Sequence, residues 1–387
     1  MLAPRVERLL AEHPPTEVDP RRFLGAQFDA GLAWVHFPEG HGGLGLDPGD
    51  QVVVDELLRD AGAPTTPVVS MIGLGMGAPV VMTHGSEEQK RRYLRPLFTG
   101  EEIWCQLFSE PGAGSDVAAL ATTATRDGDE WVVNGQKVWT SVAHVARWGM
   151  LAARTDPDQP KHKGMTYFVM DMHASGVEIR PLRQITGDAE FNEVFFSDAR
   201  VPDSERLGDV GEGWTVMLTT LMNERVAIGG IVQPRGGGMI GVAVEAWRKA
   251  GDKSPVLRDR LAGLWVEAEC LRLTALRAAA GRNSGVPGPE GSIGKLVGAL
   301  LNQRITEFCL DVLGPAGTLY GSYEMEQRPR GHEIFDDLPR AFLRARANSI
   351  EGGTSEVMRN ILGERVLGLP GDVRVDRDRS WREVPRN

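Results

Sequence analysis

The segment from residue 106 to 141 constrains what this chain can fold into more than any other part of it. It opens Gln106-Leu107-Phe108-Ser109-Glu110-Pro111-Gly112-Ala113-Gly114-Ser115-Asp116 and closes Lys137-Val138-Trp139-Thr140-Ser141. Pro111, Gly112 and Gly114 predict a sharp turn whose backbone can come close to a ligand. Ser109 and Ser115 add hydroxyls, and exposed amides around Gly114 make a cradle suited to negative charge. Residues 121–126 and 130–134 alternate as strands do, and Asp127-Gly128 and Asn134-Gly135 each predict a hairpin turn. A β-meander punctuated in this way returns Trp139 beside the glycine turn, so that a flat π face meets amides and hydroxyls. Each piece alone is common, since a Gly/Pro/Ser loop is usually only a loop and a strand Trp usually core. Their order and length together are far more specific.

Around this segment the periodicity changes twice. Residues 102–201 hold short alternating runs at 148–154, 165–170, 177–181 and 193–199, separated by turn residues, which predicts a compact antiparallel β-domain. Before it the pattern is helical: 6–12, a helix capped by Asp19 with Pro20 at its first position, 51–61, and 68–84. The last of these is almost wholly apolar and so predicted buried, with Gly73, Gly75 and Gly77 allowing close approach. Ser86 followed by Gln89 predicts a capping box, and the glycine-rich stretch 36–49 a loop. After Pro202 helices return: one from Gly213, one from Pro255 behind Ser254, one through Ile293–Phe308 spacing, and 355–366. The fold class is therefore α+β, with an N-terminal helical domain (1–104), a middle β-domain (105–205) and a C-terminal four-helix bundle (206–370). The tail 371–387 is charged and aperiodic, and is expected to be loosely attached.

Composition narrows the function. A formal charge of −10 argues against nucleic acid or an anionic membrane surface as partner. Three scattered cysteines and no His/Cys/carboxylate cluster with ligand spacing leave neither a disulfide framework nor a metal site, which points to a reducing cytoplasm. No signal-like run opens the chain, and no stretch approaches the roughly 20 apolar residues of a membrane span.

The segment 106–141 resembles the flavin-binding signature of the acyl-CoA dehydrogenase family, and the similarity runs from Phe37-Pro38-Glu39-Gly40-His41-Gly42-Gly43 to Leu367-Gly368-Leu369. The resemblance implies an FAD-dependent α,β-dehydrogenation of an acyl-CoA thioester, with electrons passed to an electron-transfer flavoprotein. It implies that Trp139 packs on the flavin ring and that the Ser141 hydroxyl reaches its N5. Phe108, Ser109 and Gly114 would contact the ring edge and diphosphate, and Thr354 and Glu356 would hold the flavin again. Ser115 would meet the flavin and the pantetheine or adenosine end of coenzyme A. An oxygen-using oxidase or monooxygenase is the alternative enzyme, and a non-catalytic partner subunit the alternative class.

The resemblance offers two places for the catalytic base. Many members carry it in the loop before the last helix, which here reads Ser349-Ile350-Glu351-Gly352-Gly353-Thr354-Ser355 and puts Gly352 at that position. Gly352 can offer its amide to the thioester oxygen but no carboxylate, and Glu351 is one residue early. Other members carry the base on the first bundle helix before an arginine, here Met222-Asn223-Glu224-Arg225-Val226. Glu224 is therefore the expected base and Arg225 an expected coenzyme A contact. One departure bears on assembly. Homo-oligomeric relatives grip the neighbouring subunit's flavin diphosphate and adenine with an Arg-x-x-Phe-Gly segment, whereas residues 246–255 here hold none. A further contact glutamine is replaced by Asp311, whose charge repels a diphosphate. Either a homologous second chain or local basic residues (Arg248, Lys253 or Arg258) must then serve the adenine end.

Overall fold

The computed structural model describes residues 2–384 apart from 230–231, 252, 284–288, 328–336, 372, 374 and 377, and apart from the side chains of 68, 225–229 and 281–283. It divides into two compact units, Met1–Leu182 with Glu190–Asn223 and Val375–Asn387, and Arg183–Ala189 with Glu224–Arg374. Helices come first, a sheet follows and helices close the chain.

In the first unit, helices α1 (Leu2–Glu12), α2 (Pro20–Asp29), α3 (Gln51–Asp60), α4 (Ala78–His84) and α5 (Glu87–Thr99) precede the sheet. Asp19 caps α2 by accepting from the Arg21 and Arg22 amides, and the Ser86/Gln89 capping box starts α5. The apolar stretch 68–84 is not one helix. It runs as a 3₁₀ turn at Val68–Ser70 and a π turn at Gly73–Gly77 before α4. Pro79 lacks the N–H that would close the regular ladder, and the Ala78 amide reaches back five residues to Gly73 O instead. A Cβ on Gly73 would stand 3.2 Å from Leu97, so the small residue there serves close packing. Val80 and Val81 are buried as expected, but Met71 is exposed.

The sheet holds β1 (Trp104–Leu107), β2 (Thr123–Asp127), β3 (Glu130–Ser141), β4 (Trp148–Arg154), β5 (Met165–Asp171), β6 (Val177–Leu182), β7 (Phe191–Pro202) and β8 (Arg206–Leu207). Its order is β6-β7-β3-β2-β4-β5-β8, with β1 on β4. Most pairs are antiparallel, but β1 and β2 each meet β4 in parallel. Asp127-Gly128 turns β2 into β3, as its sequence predicts. Asn134-Gly135 does not turn. It continues straight through β3 opposite a bulge in β7, where the strand takes one extra residue and Asp198 has φ +52°; the Asn134 amide donates to Asp198 across the pair and accepts from the Asp198 N–H. Cross-strand pairing with β7 on both sides of the bulge outweighs the local turn preference of the dipeptide. Trp139 therefore reaches the glycine turn on one long strand, with Val138 N donating to Ser109 O at 2.9 Å.

The tail also departs from its sequence reading. Residues 375–376 and 378–384 belong to the first unit, and Trp381 is buried in it. The first helix after the sheet, α6 (Gly213–Gly229), begins in this unit.

The second unit contains α7 (Met239–Lys249), α8 (Pro255–Asn283), α9 (Glu290–Leu313), α10 (Leu338–Ala345) and α11 (Ser355–Ile361). Ile240, Ala243, Leu261, Leu264, Leu301, Ile305 and Phe308 form its core. Helices α7 and α10 lie outside the four-helix reading of the sequence. The spacing Met239, Ile240, Ala243, Val244 announces the first, and the Asp337 cap before Leu338-Pro339 the second. Among the described residues no helix is long and apolar enough to cross a membrane.

Candidate active site

Two groups of residues carry the candidate chemistry, one in each unit. In the first unit the turn closes on itself, Glu110 and Ala113 exchanging backbone bonds of 3.1 and 3.0 Å. Gly112 and Gly114 are exposed, and a Cβ on either would meet no protein atom within 4 Å. The protein's own packing does not require glycine there; an open approach for a ligand does.

The turn is fixed to β3 by a buried ion pair. The Lys137 ammonium, fully buried, donates to Phe108 O at 3.0 Å and to Glu110 Oε1 at 2.8 Å. The same carboxylate accepts from the Ala121 and Thr122 amides at 2.6 and 2.9 Å. Burial works to raise the Glu110 pKa, but the Lys137 charge and these donors outweigh it and hold the carboxyl below its ordinary value. Burial also pulls the Lys137 pKa down against the attraction of Glu110. Sequence reasoning passed over this pair. A lysine continuing the inward positions of Trp131 and Val133 along β3 was the available signal.

Beyond Lys137 the register of β3 against β7 shifts again, and Trp139 takes φ +60°, with Val142 at +55°. Left-handed backbone costs a non-glycine residue about 1–2 kcal/mol, so the conformation needs a purpose. Its effect is to turn the indole outward: Trp139 is 57% exposed, backed edge-on by Phe191 at 5.8 Å. Asn192, opposite Thr140, donates to Thr140 O at 3.1 Å and Glu190 O at 3.3 Å and so clamps the irregular segment. Ser141 is half-buried, one residue past this clamp. An exposed indole, an adjacent hydroxyl and an open glycine turn fit a flat cofactor that carries a diphosphate. The other expected contacts are divided. The Phe108 ring is core, edge-on to Tyr167 at 5.7 Å, and leaves only its main chain to a ligand. Ser109 is half-buried, and Gly114 and Ser115 are exposed.

In the second unit the two alternative base positions converge. A Cβ on Gly352 would lie 3.7 Å from Glu224 Oε1, so the helix carboxylate reaches the space that a side chain on the loop would enter. Gly352 and Gly353 have φ of +62° and +95°, values that glycine adopts without strain. Glu351 is engaged elsewhere: Arg344 grips it at 2.7 and 3.2 Å, and Asn348 donates to it at 2.8 Å. The Arg225 side chain lies outside the described residues. Thr354 caps α11 by accepting from Val357 N at 3.2 Å, and Glu356 is exposed beside Arg359. Asp311 pairs with Arg260 at 2.8 Å, Arg248 with Glu245 at 2.6 Å, and Lys253 donates to the Trp247 and Arg248 carbonyls. Among the described residues no group of three His, Cys, Asp or Glu could hold a metal.

Comparison with known proteins covers nearly the whole chain. The descriptions Acyl-CoA dehydrogenase N-terminal, middle and C-terminal domain match residues 1–101, 105–199 and 211–367. The acyl-CoA dehydrogenase IpdE1 of Mycobacterium tuberculosis is 40% identical over 89% of this chain and 86% of its own. Among solved structures, the Tcur3481-Tcur3483 steroid ACAD is 26% identical with a TM-score of 0.74, covering 96% of this chain and 97% of its own. The ChsE4-ChsE5 complex from Mycobacterium tuberculosis is 29% identical with a TM-score of 0.72, covering 96% of each chain.

Proposed function

The chain belongs to the acyl-CoA dehydrogenase family, oxidoreductases whose members are FAD flavoproteins, and on that premise we propose that it dehydrogenates an acyl-CoA thioester between Cα and Cβ with Glu224 as base. The observation that carries the assignment is the approach of Glu224 Oε1 to the Cβ position of Gly352, while Glu351 is held by Arg344. In the proposed reaction the α C–H bond breaks and its proton passes to the Glu224 carboxylate. Bound FAD supplies the acceptor for the hydride that leaves Cβ, and the product is the 2-enoyl-CoA. The Gly352 amide steadies negative charge developing on the thioester oxygen. Trp139 packs on the flavin ring and Ser141 donates a hydroxyl to it, with Ser109, Gly114 and the Phe108 main chain along its edge and diphosphate. Thr354 and Glu356 are further residues that would hold a flavin. Ser115, shared between the flavin and coenzyme A, and Arg225 serve the substrate.

An electron-transfer flavoprotein would serve as the partner that takes the electrons onward. The similarity to a steroid ACAD supports an acyl group built on a bulky ring system as substrate class. The ChsE4-ChsE5 complex, together with the missing Arg-x-x-Phe-Gly segment, supports assembly with a homologous partner chain. The apolar residues Val266, Leu273 and Leu276 exposed on α8 give such a partner a surface to cover. Three free cysteines, two of them buried, suit a reducing cytoplasm.

Glu224→Gln tests the base. The variant retains FAD and loses anaerobic bleaching of the flavin by acyl-CoA, with turnover down about 10²–10⁴-fold. Glu351→Gln keeps most activity. The reverse pattern moves the base to the loop.

A further inference from the structure

The final segment of the chain is polar in composition, yet it is bonded to the residues that follow the glycine turn. Trp381 is 8% exposed. Its indole N–H donates to Ala119 O at 3.2 Å and its backbone N–H to Gln159 O at 2.9 Å. The Arg154 guanidinium stacks on the Trp381 ring at 4.9 Å and donates to Ala118 O at 2.6 Å and Lys161 O at 2.8 Å. Lys161 Nζ stands between two carboxylates, Asp116 Oδ2 at 2.7 Å and Asp376 Oδ2 at 2.6 Å.

These contacts share a target. Asp116, Ala118 and Ala119 directly follow Gly114 and Ser115, and each is held by the tail or through one side chain that the tail holds. A turn rich in glycine, open on its ligand side, has little intrinsic preference for one shape. Fixing its far end from outside supplies that shape. The stacked Trp381 and Arg154 keep water from the carbonyl bonds, so solvent competes poorly for them. The lysine bridge ties the segment after the turn to the tail by charge on both sides.

We infer that the tail, through Asp376 and Trp381, is a brace that sets the turn for coenzyme A, with Trp381, Arg154, Lys161 and Asp376 as positioning residues that do not touch the ligand. The inference rests on the function proposed above, in which Ser115 faces the coenzyme. A tail that served only stability would lower the melting temperature and leave ligand affinity unchanged. A brace changes affinity for the coenzyme more than it changes the rate of the chemical step.

The test uses the purified full-length chain and coenzyme A itself, titrated by calorimetry beside thermal melts. Trp381→Ala is expected to weaken coenzyme A about tenfold, the scale of one or two lost hydrogen bonds. Asp376→Asn is expected to weaken it about threefold. Trp381→Phe, which keeps the stack and loses the bond to Ala119, falls between wild type and Trp381→Ala. In turnover, KM for acyl-CoA rises by matching factors with kcat within about twofold. Wild-type affinity in all the folded variants, with lowered melting temperatures, overturns the brace and leaves the proposed function standing. A wild-type chain that binds no coenzyme A overturns both. If Trp381→Ala does not fold, Asp376→Asn and Trp381→Phe decide the matter.

Discussion

The glycine turn fixed to β3 and the helical stretch around residues 246–260 handle charge in opposite ways. The turn buries a lysine and a carboxylate together and uses them to hold backbone, leaving its outer amides and Trp139 open. In the helical stretch the charges sit at the surface and satisfy one another: Arg248 with Glu245, Arg260 with Asp311, Lys253 with helix carbonyls. Burying an ion pair is costly unless its geometry is exacting, so a protein that does so beside an open turn gains a fixed site. Surface pairs cost little and fix little. The first region is prepared for a ligand, and the second is neutral toward one.

The sharpest way to break this contrast is to open the buried pair. Lys137→Met leaves the Glu110 carboxylate in the interior without its cation, a change expected to cost about 3–5 kcal/mol in denaturant unfolding. Replacing both partners by apolar residues costs less than the sum of the single changes. The pair also predicts a pH response. Because Glu110 is held below its ordinary value in the folded state, its stabilisation is present above the unfolded carboxylate range and is lost as pH falls through the lowered value. Glu110→Gln flattens that acid limb. An equal acid limb in the variant would show that other carboxylates carry it.

A smaller effect separates Trp139 from ordinary core. The indole is mostly exposed, so Trp139→Ala should change unfolding of the apoprotein by under about 0.5 kcal/mol. The same change removes the proposed packing face for the flavin and should weaken FAD by about 10- to 100-fold, or roughly 1.4–2.8 kcal/mol. Fluorescence titration of apoprotein with FAD reads the second number. Strong destabilisation with unchanged FAD affinity would return Trp139 to a packing role.

What the sequence discloses about these regions follows the range of the interactions. Alternation, caps and glycine turns are local, which is why the start of β3, the Asp19 cap and the Asp127-Gly128 hairpin are legible. The turn and Trp139 stand out because turn-forming residues, hydroxyls and an aromatic occur there in a fixed order. Lys137 and Glu110 lie 27 residues apart, and only the folded sheet shows that they are partners. Asn134-Gly135 misleads because its bond to Asp198 crosses 64 residues, where a dipeptide preference has no information. Trp381 misleads for a related reason: a charged neighbourhood masks one aromatic whose partner, Ala119, is 262 residues away. The convergence of Glu224 on Gly352 is likewise invisible without coordinates.

The finest test concerns the second region, and the structure changes its premise. The resemblance places the flavin diphosphate and adenine against an Arg-x-x-Phe-Gly segment that this chain lacks. A charge-assisted arginine contact contributes about 1.5–3 kcal/mol, so its loss weakens FAD by roughly tenfold or more. Asp311 adds less repulsion than its bare charge implies, since Arg260 already neutralises it at 2.8 Å. The deficit is therefore a missing donor more than an added anion. Arg248 and Lys253, both engaged with their own helix end, are poor replacements, which leaves Arg258, exposed on the first turn of α8. The chain purified alone is expected to hold well under one FAD per chain, and a homologous partner chain to raise that ratio. A flavin-to-protein absorbance ratio near one on the isolated chain excludes dependence on a partner. In that event Arg258→Ala should lower the ratio while Arg248→Ala does not, and the adenine end is then held locally.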